Sequence, residues 1–351
     1  MRKRLTLKIQ LLGSMGYVTI KDIAAALGIS KSTVSRAIMG DTQNVSKETV
    51  QRVMEMAEKM GYIKNEIAVN LRSRNSKTIG IVAPESVTSF YMQFSSCVQR
   101  LLLPKGYRVM LALSDENPTT ERYNIEMFDK FRVDGIMISP CHDTANLEVY
   151  NAMLKRNIPL LFFDRTIANL DCSSVRSDDY KAAFFLMEHL IYGGYRKIVH
   201  LTGPKYIRNT RQRLRAYCDT LAKHAIAYNP DFVVEAGVDE RDGAAAMRQL
   251  LSSESTRSFD AVFCFTEMQA LGAKKALQEY GLSIPDNVAL ACMSGTRLAT
   301  MVHPSITTVE QSVERMAEEA VRLLLQKIEE PNSESENVVL DAEMIIRDST
   351  K

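Results

Sequence analysis

From Lys77 onward the chain alternates short apolar runs with longer stretches of helical periodicity, and this alternation narrows its possible folds more than any other feature. The runs that read as strands are Thr78–Ala83, Arg108–Leu113, Gly135–Ser139, Pro159–Phe163, Lys197–Thr202, Asp231–Ala236, Ala261–Phe265 and Val288–Cys292. The segments between them are long enough for crossover helices, so the pattern predicts doubly wound α/β sheets. About 275 residues with this many units exceed one ordinary sheet, and two similar lobes with a ligand cleft between them fit the length. Glu329–Asn337 reads as a polar surface loop ahead of the last apolar stretches, Val338–Leu340 and Met344–Ile346.

The first 76 residues are helical in pattern instead. Thr19-Ile-Lys-Asp22 has the cap spacing of a helix start, followed by Ile23, Ala24 and Leu27 on one face, with Gly28 closing the run. Ser30 can cap a second helix that turns Val34, Ala37 and Ile38 inward and leaves Lys31, Ser32, Thr33, Ser35 and Arg36 toward its N-terminal and outer surface. A third begins near Ser46 and runs to about Met60, ended by Gly61. Two helices joined by a tight glycine-containing turn and buttressed by a third form a helix-turn-helix unit, whose second helix can lie in the DNA major groove. Lys31-Ser-Thr-Val-Ser-Arg36 matches that use: a phosphate-seeking lysine, short hydroxyls that approach base edges or phosphates, and an arginine able to fork onto guanine. The same residues also describe the polar face of an ordinary three-helix bundle. Residues 61–77 read as a linker, in which Ile67, Ala68 and Leu71 would form one apolar face if the segment coiled.

Charge divides at the same place. Residues 1–76 carry 13 Lys+Arg against 6 Asp+Glu, a net of +7, and residues 77–351 a net of −5, so the total of +2 conceals a basic head on an acidic body. Such a head suits a polyanionic partner or a solvated tail. No apolar run approaches the ~18–20 residues of a membrane helix. The short apolar stretch within Met1–Met15 is broken by Lys8 and Gln10, which points to a cytoplasmic protein without a membrane partner. The cysteines, Cys97, Cys141, Cys172, Cys218, Cys264 and Cys292, lie at least 28 residues apart and form no C-x-x-C, so neither a zinc site nor a disulfide framework is indicated. His142 beside Cys141 has no second ligand pair in view, and no metal or cofactor is expected.

Catalytic signatures are missing: there is no G-x-G-x-x-G after a strand, no Walker A sequence, no H-E-x-x-H, and Met293-Ser294-Gly295 lacks the glycine two residues before the serine. This points to binding rather than to an enzyme. Asp164 follows the apolar run Leu160–Phe163, at the carboxyl end of a strand where α/β proteins place ligand groups, unless it is only a solvated strand-end carboxylate.

Val18-Thr-Ile-Lys-Asp-Ile-Ala-Ala-Ala-Leu-Gly-Ile-Ser-Lys-Ser-Thr-Val-Ser-Arg36 resembles the DNA-reading start of the lactose-repressor (LacI/GalR) family of bacterial transcription regulators. The likeness continues through Val45-Ser46, Gly61-Tyr62, Asn65, Ala68, Leu71-Arg72 and Thr78-Ile79-Gly80, and then through Val133-Asp-Gly-Ile136, Phe163-Asp-Arg165, Thr202-Gly-Pro204, Arg213, Thr307-Thr-Val309 and Ile345-Ile-Arg-Asp-Ser349. It spans Val18 to Thr350. The resemblance implies a helix-turn-helix domain at 18–62, a hinge at 63–77 and a periplasmic-binding-protein-like body at 78–351. Within the body, the first lobe would comprise about 78–175 and 306–334, and the second about 176–305 and 335–351. It further implies a homodimer or tetramer on a pseudo-palindromic operator in double-stranded DNA, with Leu71 as the hinge leucine that wedges into the minor groove. The DNA-contacting positions would be Thr19, Lys31, Ser32, Thr33, Ser35, Arg36, Asn44, Asn65 and Leu71. Residues 1–17 form a basic extension, of which 1–14 precede the point near Met15 where chains of that family usually begin.

The chain departs from the family pattern in several places. The asparagine after the recognition helix is Met39, the loop Gly40–Asn44 is one residue longer, and the hinge proline is Lys64. In the body the Asn-Asp pair is Thr266-Glu267, and a ligand-binding aspartate corresponds to Ser294. The resemblance assembles an effector pocket from Phe90, Tyr91, Asp164, Arg213, Glu267, Ser294 and Gln311. Asp164 would accept from ligand hydroxyls, Arg213 would donate, Phe90 and Tyr91 would stack on an apolar face, and Gln311 would close the rim. Asp178 and Asp179 are expected as helix caps. The implied function is a sequence-specific, ligand-responsive repressor of carbohydrate-use genes with a sugar or sugar derivative as effector. A regulator answering to a non-sugar ligand or to none is the alternative, ahead of a transport-type sugar binder or an enzyme.

Overall fold

The computed structural model describes residues 17–63, 75–85, 89–142, 145–253 and 258–350. The expected extension up to residue 16, and Asn65 and Leu71 of the expected hinge, lie outside the described residues. The chain divides into two compact units, 1–74 and 75–351.

In the first unit, helices α1 (Ile20–Leu27), α2 (Lys31–Ile38) and α3 (Lys47–Met60) follow the local signals closely. The Asp22 carboxylate accepts from the Thr19 N–H and hydroxyl, Ser30 accepts from the Thr33 N–H, and Ser46 from the Thr49 N–H. These bonds use donors that a helix start otherwise leaves open. Gly28 and Gly61 end α1 and α3 in the left-handed region, at φ +68° each, where a side chain is strained. Ile23, Val34 and Val53 are wholly buried where the three helices meet, flanked by Ala24, Ala37 and Ala57.

The second unit contains two six-stranded sheets. The first is ordered β11 (Asn337–Leu340), β5 (Ser173–Ser177), β4 (Leu160–Phe163), β3 (Gly135–Ile138), β1 (Thr78–Ala83), β2 (Arg108–Leu113), all parallel. The second is ordered β12 (Glu343–Ile345), β10 (Thr307–Glu310), β9 (Ala289–Met293), β8 (Ala261–Cys264), β6 (Ile198–Thr202), β7 (Val233–Glu235), parallel apart from β12. Helices cover both faces of each, as parallel strands require. On the first sheet α4 (Ser89–Leu102) and α11 (Val313–Glu329) lie on one face, and α5 (Pro118–Lys130) and α6 (Leu147–Lys155) on the other. On the second, α7 (Asp179–Tyr192) and α8 (Arg208–Lys223) oppose α9 (Glu240–Ser252) and α10 (Glu267–Glu279). The last two approach with almost no spacer: a Cβ on Gly272 would stand 1.9 Å from the Glu240 carbonyl, and one on Gly243 2.2 Å from that of Gln269.

The chain passes between the sheets three times, after β5, after β10 and after β11. This exchanges two segments relative to the expected lobe ranges. Residues 307–310, placed with the first lobe, pair with β9 and β12 in the second sheet. Residues 337–340, placed with the second lobe, pair with β5 in the first. Each strand is short and its partner distant in sequence, so pairing rather than local pattern decides its sheet. The strand β5 itself was not among the expected runs, because Ser-Ser-Val-Arg-Ser has one apolar residue. It is buried between β4 and β11.

Candidate functional site

Two surfaces carry candidate residues, one in each unit. On α2, Lys31, Ser32 and Arg36 are exposed and Thr33 and Ser35 half-buried, while Val34 and Ala37 fill the core. Ser30 organises the start of this face: besides capping, its hydroxyl lies 2.7 Å from that of Ser32 and 2.8 Å from that of Thr33. Exposed Thr19 is engaged with Asp22, and those hydrogen bonds, hydroxyl first, hold the Asp22 carboxyl below its usual range. Asn44 is not presented freely either. Its amide donates to both carboxylate oxygens of Asp41, at 3.2 and 3.0 Å, which lowers the Asp41 pKa and folds back the longer loop after α2. Asn65 and Leu71, outside the described residues, are not placed.

The second surface is a cleft where the carboxyl ends of strands from both sheets converge. Asp164 follows β4 with φ +56°, a conformation that costs a non-glycine residue of order 1 kcal/mol or more and often marks a functional site. Its buried carboxylate accepts from the Tyr91 hydroxyl (2.8 Å), Gln311 (3.1 Å) and Asn209 (3.4 Å), and among the described residues no cation lies within ion-pair distance of it. Burial pushes the Tyr91 hydroxyl well above its ordinary pKa, so it stays a neutral donor. Phe90 meets the Tyr91 ring edge-on, 5.0 Å between centroids.

On the other wall Arg213 projects from α8. It donates to Asp179 (2.8 Å), to the Phe265 carbonyl (2.6 Å) and, at the limit, to the Ser294 hydroxyl (3.4 Å), with its guanidinium 4.4 Å from the Phe265 ring centre. Asp178 caps α7 through the Lys181 N–H, as expected, but Asp179 does something else: it is buried and fixes Arg213. Burial raises the Asp179 pKa more than Arg213 lowers it.

The cavity enclosed by these groups has a volume of about 40 Å³. At ~10–15 Å³ per water this is room for about three waters, and a neighbouring cavity of about 220 Å³ shares Phe90, Ser294 and Gln311 with it. Lining it are Phe90, Tyr91, Asp164, Arg213, Ser294 and Gln311, together with Asn209, Arg165 and Thr266. Glu267 stands outside the lining. Its buried carboxylate accepts from the Thr296 N–H and hydroxyl and the Ala299 N–H, and so it shapes the loop after β9. Two further contacts join the lobes beside the cavity: Arg208 donates to the Thr166 hydroxyl at 2.7 Å, and the His142 and Tyr206 rings stack at 4.8 Å.

No local sequence signal marks Asn209, Arg208, the Arg165–Glu116 pair (2.7 and 2.8 Å) or the use of Asp179 in the cleft. Arg165 directly follows Asp164, but nothing local tied it to Glu116. Among the described residues no cluster of His, Cys, Asp and Glu could hold a metal ion, and no helix is long and apolar enough to cross a membrane.

Residues 19–65 match the family described as bacterial regulatory proteins, lacI family, and residues 187–350 match the periplasmic binding protein-like domain. Among curated relatives, the HTH-type transcriptional repressor PurR of Histophilus somni is 27% identical over 333 residues, covering 95% of this chain and 99% of its own. The ribose operon repressor of Haemophilus influenzae is 28% identical, covering 94% and 98%. Among solved structures, the complex of the transcriptional regulator CelR with cellobiose has a TM-score of 0.72 at 26% identity, covering 95% of this chain and 99% of that one. The lac repressor dimer bound to operator and the anti-inducer ONPF has a TM-score of 0.82 at 23% identity with the same coverage, a likeness of fold.

Proposed function

Because the chain belongs to the lacI family of bacterial regulatory proteins, we infer that it is a DNA-binding transcriptional repressor whose operator affinity is set by a polar small molecule, a sugar or sugar derivative, taken up in the cleft around Asp164. The observation that carries the effector half is Asp164 itself: a buried acceptor without a cationic partner, reached by three neutral donors that a polyol can replace one for one. The names of the relatives, a ribose operon repressor and a regulator bound to cellobiose, point the same way. Since Asn209 and Gln311 already occupy the Asp164 carboxylate, a ligand hydroxyl that takes their place breaks them away from it and competes with the neighbouring Arg208–Thr166 contact. Ligand binding thereby acts on the relative setting of the lobes, and a ligand shifts that equilibrium only by its difference in affinity for the two settings.

The DNA half rests on the face of α2, where Lys31, Ser32 and Arg36 are exposed on a helix short enough to enter a major groove by its N-terminal turns. In this reading Thr19, Thr33 and Ser35 support phosphate and base contacts, Asn44 must leave Asp41 to join them, and Asn65 and Leu71 act in the hinge. Two copies of the chain are proposed to pair through the exposed edge of the first sheet, where β2 presents Met110 and Leu111 at 36% and 40% exposure.

Selection of bound sequences from random duplexes, followed by affinity measurement against salt for Arg36→Ala and Leu71→Ala, tests the DNA reading. Wild-type affinity and salt slope in both variants would refute it. A sugar panel scored by melting shift and by release from the selected duplex, repeated on Asp164→Ala, tests the effector reading. A sugar that stabilises both proteins equally would move the site away from Asp164.

A further inference from the structure

The carboxylates of Asp164 and Glu85 face the cleft, so its positive charge is not in overall excess but is set to one side of it. Arg165 is paired with Glu116 and Arg213 with Asp179, whereas Arg208 and Arg176 have no carboxylate within ion-pair distance among the described residues. Arg208 makes one hydrogen bond, to Thr166, and Arg176 one, to the Ser177 carbonyl. Both side chains are half-buried. Burial holds the Arg208 guanidinium below its ordinary pKa, and the neighbouring charges of Arg176 and Arg211 push the same way against Asp179. A guanidinium does not release its proton in a protein, so this is a cation offset only at a distance, by Asp179, in a partly desolvated place.

Two independent features lie beside it. Arg208 opens α8, a 16-residue helix whose Ncap residue, Ile207, has no side chain able to cap, so the first-turn N–H groups carry the positive end of the helix dipole. Thr210 in that turn and Ser177 next to Arg176 are each 2% exposed, and their hydroxyls have no hydrogen-bond partner among the described residues. Across the cleft, Asn209 reaches Asp164 and Arg208 reaches Thr166, making two adjacent rungs. Their acceptors, Asp164 and Thr166, are two residues apart, hence within ~7 Å, a distance one monosaccharide with a charged substituent covers.

We propose that the effector is an anionic sugar derivative, a sugar phosphate or sugar acid, whose anionic group seats on Arg208 and Arg176 at the start of α8 in place of the Thr166 hydroxyl while its hydroxyls occupy Asp164. This rests on the reading of the cleft as the effector site and adds the charge of the ligand to it. A neutral sugar fills the Asp164 rung but leaves the cations unpaired, so the site discriminates by what it leaves unsatisfied.

The test uses the full chain and compares wild type with Arg208→Gln and the charge-retaining Arg208→Lys. Melting midpoints are recorded with inorganic phosphate, with D-glucose and D-ribose, with D-glucose 6-phosphate and D-ribose 5-phosphate, and with D-glucuronate. Phosphate is expected to raise the wild-type midpoint, and at least one anionic sugar is expected to bind ten times or more tightly than its neutral parent. Arg208→Gln should abolish both effects and Arg208→Lys should restore part of the phosphate effect. Glucuronate set against glucose 6-phosphate separates carboxylate from phosphate as the source of the anion. If phosphate protects wild type and Arg208→Gln equally, or if neutral parents bind as tightly as their anionic derivatives, the anion site is refuted while the effector reading stands. If no probe moves the wild-type midpoint, both fall.

Discussion

Deleting the Asp179 carboxylate should cost more than deleting the arginine it holds. The two side chains are 6% and 3% exposed, and among the described residues the Arg213 guanidinium has, beyond Asp179, the Phe265 carbonyl and ring and a long contact to Ser294, none of them charged. Breaking a buried ion pair from one side costs about 3–5 kcal/mol, because the remaining charge is left desolvated. In Asp179→Ala that charge is an arginine, which cannot shed its proton. In Arg213→Met it is a carboxylate whose pKa burial already raises, and which escapes the penalty in part by taking up a proton. For a unit of roughly 280 residues, at ~2.1 cal/mol/K per residue, each kcal/mol moves the melting midpoint by about 2 °C. Asp179→Ala is therefore expected to lower it by about 5–9 °C at neutral pH. Arg213→Met should lose less, and its deficit should shrink on acidification through the range in which Asp179 protonates. The double variant Asp179→Leu with Arg213→Met, apolar on both sides, should melt within ~4 °C of wild type while losing the effector response. Differential scanning calorimetry from pH 5 to 8 gives all three numbers. An Asp179→Ala midpoint within a degree of wild type, or an Arg213→Met deficit larger than that of Asp179→Ala, refutes the reasoning.

His200 is wholly buried, its Nδ1–H donates to the Phe263 carbonyl at 3.0 Å, and its Nε2 has no partner among the described residues; burial, first among the causes, lowers its pKa to about 4. The unfolded chain then binds a proton between pH 6.5 and 4 that the folded one refuses, so stability falls as pH drops through that window by roughly 3 kcal/mol, and His200→Asn should flatten the profile measured by urea denaturation. Gly272→Ala should destabilise the second unit by about 1–3 kcal/mol or more, because the new methyl meets backbone and not a movable side chain; an unchanged midpoint would mean that α9 and α10 separate freely. Ser30→Ala should cost the first unit about 1 kcal/mol by circular dichroism melting, with Ser30→Asp recovering most of it, since the lost group is an acceptor for the Thr33 N–H; if Ser30→Asp melts with Ser30→Ala, the cap is not what holds α2.

The helix-turn-helix was readable because its signals are local: Thr19, Ser30 and Ser46 cap within three residues, and Gly28 and Gly61 close within five. The parallel strands were readable for a related reason, since burial on both faces makes β4 apolar throughout and β1 apolar after Thr78. What escaped is what pairing at a distance decides. Ser173–Ser177 becomes a strand because β4 and β11 flank it, and 307–310 and 337–340 exchange sheets because their partners do. The cleft divides likewise. Asp164 announced itself by following an apolar run, but the use of Asp179 depends on Arg213 lying 34 residues further on, and the same carboxylate pattern serves equally well as a cap at Asp178.

The three passages between the sheets run from Ser177 to Asp179, from Glu310 to Val313 and from Leu340 to Glu343. No connection is longer than a few residues, and each residue reaches at most ~3.6 Å, so the lobes cannot draw apart by more than a fraction of their own width. Three short tethers fastened along one side leave mainly rotation about the line that joins them, as a door has once its hinges are set. Gln311 sits on the middle tether with its amide on Asp164. A change of a few ångströms in the spacing of the cleft is thereby converted into an angle, the one coordinate these connections leave free.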